Sequence, residues 1–352
     1  MEIRYGYKSP LNIELSNGGV WTMTYAGRTI PRVPLWKLRL SMIGTVAVIT
    51  SIATLILVAI LTALRISFFG IYGILGFVVF YHVLQWLMGP YIIDAVYHVR
   101  PLSEYEAPEL HRMVKKLAKE SGLKDVPKLM IAEISIPNAF AYGNFLTGYR
   151  VAVTRGLLES LPEDEIEAVI GHELGHLKHK DVVVMLMISI IPALIYYIGY
   201  MLYISGWFGG YRRDSRGGGF YLFLIGIALM AVSFLLNLFV FYMSRLREYY
   251  ADAHAALIVK NGAKKLQRAL ARIMLISGRY SRYLGEERKS YSQFKMFFIA
   301  DPEKGVKSRF YGNIDELVEA IKKEKPSILE ELFSTHPHPA KRLRYLDNFI
   351  TT

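Results

Sequence analysis

Four long stretches without a charged side chain constrain this chain more than any other feature. Residues 40–64 form a run of 25, residues 66–93 one of 28, residues 182–210 one of 29 and residues 220–243 one of 24. Each exceeds the roughly 20 residues that a helix needs to cross the hydrocarbon layer, where backbone polar groups must be paired within the segment itself. A buried core helix accounts for one such run but not for four. The runs also explain how a chain of 352 residues with net charge +12 keeps a mean hydropathy of +0.26. The expectation is a mainly α-helical integral membrane protein built on a four-span bundle. The first run is no cleavable leader: 39 mostly polar residues precede it, it is too long, and no small-residue cleavage site follows. Arg65 alone separates the first two runs, which predicts a tight helical hairpin. A short loop carrying Arg212, Arg213, Asp214 and Arg216 joins the last two.

Charge orients the bundle. Lys and Arg number 6 before the first run, 11 in residues 94–181 and 21 after Met243, against 1 and 3 in the two hairpin tips. With an even number of spans the three rich segments share one side, the cytoplasmic one by the positive-inside rule, so the soluble parts of the chain face the cytoplasm. Lys37, Arg39, Lys178, Lys180, Arg245 and Arg247 adjoin the runs and weigh most; the three arginines of the outer loop count against this orientation. The chain then divides into a β-like N-terminal extension (1–36), a first transmembrane hairpin (37–93), a first soluble part (94–181), a second transmembrane hairpin (182–243) and a second soluble part (244–352). Anionic lipid headgroups suffice to explain the basic charge. With no nucleic-acid motif in the sequence, the bilayer and not nucleic acid is the expected partner. The absence of cysteine agrees with a reducing compartment, and the 24 tyrosines suit interfacial belts.

In the extension, alternation over 12–15 and 21–25 around Asn17-Gly18-Gly19 predicts a β-hairpin. After the second run, Ser103 and Glu106 form a capping-box pattern ahead of Leu110, Met113, Val114 and Leu117 at helical spacing, with Gly122 as the stop. Short strands are expected near 128–132 and 151–154, separated by the turn-rich Pro137-Asn138-Ala139-Phe140-Ala141-Tyr142-Gly143. Ser160 and Glu163, with Pro162 in the first turn, form a second capping-box pattern that starts the next helix.

That helix carries the chemistry. In His172-Glu173-Leu174-Gly175-His176 the two histidines, four residues apart, share one helix face and can reach one metal ion, and Glu173 is placed to act as general base. The plain alternative is an amphipathic helix with two solvated histidines. Two histidines do not complete a catalytic zinc site; a third protein ligand is required, with the fourth position left to water. Glu248, just past the fourth run, is the candidate, and Asp252 lies on the same helix face, where it can fix the tautomer of a ligating imidazole. An ordinary charged juxtamembrane helix is the competing account of this segment. Topology favours the ligand reading. If the motif helix runs straight into the third span, and spans three and four pair as a hairpin, His176 and Glu248 emerge on one side about 9 and 7.5 Å from the span ends. His179 and His254 are expected to be solvated rather than metal-bound, and His82 and Asn237, inside runs, to make helix-packing hydrogen bonds.

Pro137-Asn138-Ala139-Phe140, Thr154-Arg155-Gly156-Leu157-Leu158, the motif helix up to Asp181, the segment 244–252 and Thr335-His336-Pro337-His338-Pro339 followed by Arg342 together resemble the HtpX-like membrane metalloproteases. This is a gluzincin-type family related to CAAX-prenyl endopeptidases, and the resemblance runs from about residue 40 to 350. It implies a zincin-type α+β metalloprotease domain continuous with the bundle and one zinc ion per chain. It also implies ligands His172, His176 and Glu248, Glu173 as general base, and quality-control endoproteolysis of damaged or misassembled membrane proteins under stress. By the same resemblance His336 returns to the site as the oxyanion-stabilising group; the alternative is that the His-Pro repeat only marks a helix start. Asn138 and Ala139 are placed on an edge strand where a substrate adds as an extra strand; the alternative is a plain turn. The extension before residue 37 and the stretch 280–330 depart from the family pattern. Two other readings stay open: a prenyl-protein (CAAX-type) processing endopeptidase, for which four spans are few, and a non-catalytic scaffold, against which the intact Glu173 and ligand set argue.

Overall fold

The computed structural model describes residues 11–15, 21–25, 28–29, 68–209, 218–283 and 313–350. The run at 40–64, the Asn17-Gly18-Gly19 turn and the loop holding Arg212, Arg213, Asp214 and Arg216 lie outside the described residues. In the extension, β1 (Leu11–Leu15) and β2 (Trp21–Tyr25) pair antiparallel from Leu11↔Tyr25 to Leu15↔Trp21, and β3 (Arg28–Thr29) adds to β2.

The described residues of the other three uncharged runs fall within single helices: α1 (Phe68–Val96), α5 (Asp181–Gly209) and α6 (Gly218–Ile258). Over Asp181–Phe208 and Gly219–Ile258 the helices are long and apolar enough to cross a membrane. α6, with 41 residues, continues past its apolar run without a break, so residues 244–258 are a rigid extension of the span. α5 and α6 pack antiparallel at close range, because a Cβ on Gly226 would lie 2.4 Å from the Tyr203 nitrogen and one on Gly206 2.3 Å from the Phe223 nitrogen. Small residues that let backbones approach are what holds helices together where lipid removes the hydrophobic drive. Ser233 Oγ donates to the Pro192 carbonyl across this interface at 2.8 Å. Asn237, expected to bond between helices, donates instead to Ser233 O of its own helix.

The soluble part folds around a four-stranded sheet with the order β4 (Val99–Pro101), β5 (Lys128–Ala132), β7 (Gly148–Thr154), β6 (Ala139–Asn144). β5 and β7 run parallel and β6 is an antiparallel edge. Among the described residues, helices α2 (Pro108–Glu120), α3 (Arg155–Ser160), α4 (Glu163–Lys178), α7 (Gly262–Tyr283), α8 (Ile314–Lys322), α9 (Ile328–Leu332) and α10 (Pro339–Asp347) belong to it. Leu117, Leu157, Ile170, Leu174, Leu266 and Leu270 are fully buried at the centre of one core formed by α2, the sheet, α4 and α7.

Two capping predictions are corrected. Ser103 and Glu106 do exchange hydrogen bonds, but they close a turn, and α2 begins at Pro108, whose missing N–H suits the first helical position. At its other end Gly122, with φ +65, closes α2 by bonds from Leu123 N to Ala118 O and from Gly122 N to Lys119 O. Ser160 caps nothing: it ends α3, and α4 starts after Pro162 with no side-chain cap. α3 itself was not expected; Thr154 caps it through Leu157 N. The motif helix does not run straight into the span either. α4 ends at Lys178, Lys180 adopts φ +53, and α5 starts afresh at Asp181.

Candidate metal centre and active site

α4 approaches α6 because Gly175 faces it: a Cβ there would meet the Ala251 Cα at 3.1 Å. This contact brings His172 and His176 against Glu248, and the ligand atoms of the three lie within 4.8 Å of one another. His176 Nε2 is 3.2 Å from His172 Nε2 and 3.5 Å from Glu248 Oε1; His172 Nε2 is 3.7 Å from Glu248 Oε2. The other nitrogen of each ring faces a carboxylate. His176 Nδ1 is 2.6 Å from Asp181 Oδ2 and His172 Nδ1 is 3.0 Å from Asp252 Oδ1. Carboxylates in these positions put the N–H on Nδ1 and leave a lone pair on Nε2.

Two lone pairs and a carboxylate therefore converge on one point, an arrangement that repels itself unless a cation or a proton lies among them. Glu248 Oε2 is buried and accepts no hydrogen bond. Charge balance agrees. Glu248, Asp252 and Asp181 are buried carboxylates, countered by Arg342 and Arg247, which leaves a negative charge beside the two rings. Two imidazoles and one carboxylate are a donor set that suits zinc with an open position.

The break at Lys180 explains Asp181, a partner that sequence reasoning did not assign. Were α4 continuous with α5, Asp181 would sit five residues beyond His176 on a different helix face; the turn folds it back onto the ring. Arg247 Nε, 3.1 Å from Asp181 Oδ2, fixes the carboxylate from α6. Arg342 was also unassigned. It is among the largest fully buried side chains, donates to both Asp252 oxygens at 2.9 and 2.6 Å, and lies 3.2 Å from Glu248 Oε2. Only its place after the His-Pro repeat marked it in the sequence; its partners lie some 90 residues away in the chain.

Burial and these charges set the protonation of the site. Burial lifts the Glu173 carboxyl to about 7, against the pull of His176 and a hydrogen bond from the Ala141 N–H. Burial opposes charge on His176, but the Asp181 hydrogen bond with the charges of Glu248 and Asp181 outweighs it and lifts the ring to about 9, so without a metal a proton takes the Nε2 lone pair that a cation would otherwise use. Burial also opposes charge on Glu248, yet His336, Arg342 and His176 hold it well below the usual carboxylate range.

A cavity of about 370 Å³ opens on the site, bordered by Ala139, Ala141, Glu173, Val182, Arg247 and His336 among others. His336 Nδ1 is 3.5 Å from Glu248 Oε1. Its segment is held by Arg245 Nη1, which donates to Ser334 O at 2.6 Å, and by Ser334 Oγ, which donates to His336 O. The His-Pro repeat does both things considered for it: His338 caps α10 through Ala340 N, and His336 reaches the site. Ala139 opens edge strand β6 and borders the cavity. Asn138 does not border it; its main chain is spent on Thr154, donating to Oγ1 and accepting from N. By the alternation of an antiparallel pair, the main-chain groups of Ala139 and Ala141 point off the free side of β6, which is how the Ala141 N–H reaches Glu173. His179 and His254 are outside the metal-competent group, but they are not solvated. The His179 ring stands edge-on to Tyr250 at 4.1 Å, and His254 Nε2 is 2.9 Å from Ser121 Oγ.

One helix carrying two histidines with a buried carboxylate beside them, set against a glutamate from α6 that continues an apolar span, under a strand edge, defines a membrane metallopeptidase of the gluzincin type. Comparison with known proteins agrees. A family model described as peptidase family M48 matches residues 104–350, and the chain belongs to that family. It is 44% identical over 272 residues to a protease HtpX homolog of Aeropyrum pernix, covering 76% of this chain and 83% of the relative. It is 40% identical over 338 residues to protease HtpX homolog 2 of Sulfurisphaera tokodaii, covering 90% and 98%. The crystal structure of S. mikatae Ste24p shares the fold, with a TM-score of 0.51 at 21% identity over 88% of this chain and 67% of that one.

Proposed function

We propose that this chain is a zinc-dependent endopeptidase of the cell membrane, with four spans, its catalytic part in the cytoplasm, and unfolded or misassembled membrane proteins as substrates. His172, His176 and Glu248 are the ligands. The observation that carries this reading is the convergence of two imidazole lone pairs and a buried carboxylate beside Glu173, in a cavity that a free strand edge borders. When bound, zinc supplies Lewis-acid chemistry, acidifying a water and polarising a peptide carbonyl.

The chain's own residues do the rest. The edge of β6, at Ala139 and at the Ala141 carbonyl, takes an extended peptide by main-chain hydrogen bonds, which read little side-chain sequence and suit unfolded substrates. Glu173 Oε accepts the proton of the attacking water and passes it to the departing amine nitrogen; burial keeps its carboxyl near neutral pH, where both transfers are feasible. Asp181 and Asp252 hold the two rings in the ligating tautomer. His336, which borders the cavity with Nδ1 3.5 Å from Glu248 Oε1, stabilises the developing oxyanion.

The test is proteolysis of an unfolded model protein by the detergent-solubilised full chain, wild type against Glu173→Gln, with and without chelator. Chelator is expected to stop the wild type. Glu173→Gln is expected to be inactive while still holding roughly one zinc per chain. Proteolysis that survives this substitution would remove the mechanism, and a wild type with no chelator-sensitive activity would leave a scaffold.

A further inference from the structure

Among the described residues, exposed large apolar side chains outside the spans are concentrated on two small elements. Phe145 and Leu146, at the tip of the β6–β7 hairpin, are 73% and 60% exposed; Ile328, Leu329 and Phe333, on and just after α9, are 84%, 68% and 53% exposed. A folded domain in water does not keep such clusters bare without a use for them.

Both elements lie along a helix inside the charged boundary of its apolar run. The hairpin descends beside α1. Near the run's end, Tyr142 Oη donates to Asp94 at 2.6 Å, and Arg150 pairs with the same carboxylate. Further in, the Asn144 side chain donates to Trp86 O at 3.0 Å and Leu87 O at 3.1 Å. Pro90 lies inside α1 and has no N–H to offer the carbonyl four residues back, so Asn144 satisfies a backbone group that a lipid-facing helix would otherwise leave unpaired. Trp86 is eight residues inside Asp94, about 12 Å along the axis, and its ring packs on Phe145 at 5.5 Å. α9 does the same on α6: the Phe333 ring meets Phe234 at 6.1 Å, and Phe234 lies 11 residues, about 16 Å, inside Arg245.

We propose that the β6–β7 hairpin tip and α9 with Phe333 are two lipid-immersed anchors that sink the catalytic part into the headgroup–acyl boundary of a phospholipid bilayer. Strand β6 belongs to one anchor and the His336 segment follows the other, so the cavity between them opens at membrane level. The substrate bonds it reaches are juxtamembrane ones. This rests on the reading of α1 and α6 as membrane spans.

Since the chain has no cysteine, single substitutions can carry an environment-sensitive fluorophore. Leu146→Cys and Leu329→Cys report the anchors, Phe80→Cys the outer face of α1, and Tyr105→Cys a fully exposed site. The labelled full-length variants, checked for zinc content, are reconstituted in phosphatidylcholine–phosphatidylglycerol vesicles with and without nitroxide-labelled acyl chains. The anchors are expected to lose fluorescence to the acyl-chain nitroxide as Phe80→Cys does and to resist aqueous iodide, with Tyr105→Cys showing the reverse. An aqueous signature at either anchor while Phe80→Cys is quenched overturns the proposal. An unquenched Phe80→Cys removes the span reading, and the proposal with it.

Discussion

Arg342 shows what one side chain does at this site. Its buried guanidinium pairs with both Asp252 and Glu248, and its absence leaves two buried carboxylates near each other. Arg342→Met is expected to cost about 3–5 kcal/mol, because breaking a buried ion pair strands a charge. It should also lower zinc content, which thermal unfolding in detergent and metal analysis would register together. His254 gives the pH dependence. Burial, with His179 and Lys178 nearby, pushes its ring down to about 3 from an unfolded value of 6.5. Above 6.5 both states are neutral and the contribution is intact. As pH falls from 6.5 toward 3, only the unfolded chain takes up the proton, and stability is lost. The fall in unfolding temperature between about pH 7 and about pH 5 should therefore be smaller in His254→Gln than in the wild type. Equal falls in both would remove the assignment.

At the scale of elements, the centre depends on how closely α4 lies against α6. Glu248 and Asp252 ride on a helix that leaves the membrane without interruption, while His172 and His176 ride on a helix that stops one turn short of its own span. The contact at Gly175 is what registers one pair against the other. Gly175→Val puts a branched side chain where even a Cβ is tight against Ala251. The expected outcome is loss of bound zinc and of proteolysis with all ligands and Glu173 present, measured as metal per chain after purification. Retention of a full zinc complement would mean that α4 can shift without opening the site. The break at Lys180 works at the same scale: it converts Asp181 from the first residue of a span into a partner for His176.

For the whole molecule, the proposed topology makes a direct statement about accessibility. With four spans and the catalytic part in the cytoplasm, a Tyr105→Cys side chain should react with a membrane-impermeant maleimide only in inverted vesicles, and Ser215→Cys only in right-side-out cells. Both reacting from the same side would exclude the hairpin arrangement; the reverse pattern would invert the orientation. This topology is also why the linear separation of His176 and Glu248 is unimportant. The antiparallel packing of α5 and α6 returns the chain to the level from which it left.

Apolar runs, the spacing of His172 and His176, the adjacent Glu173 and the shared face of Glu248 and Asp252 are local or periodic properties, and the sequence by itself determined them. Helical hydrogen bonding in an apolar medium and the 3.6-residue repeat leave little freedom there. The tertiary structure alone decided that α4 breaks before α5, that Ser160 ends a helix instead of capping one, and that Asn138 is spent on Thr154 while Ala139 and Ala141 offer their edge. It alone supplied Asp181, Arg247 and Arg342. Those outcomes follow from which buried charge finds which partner, and partners brought together by packing carry no spacing that a sequence can display.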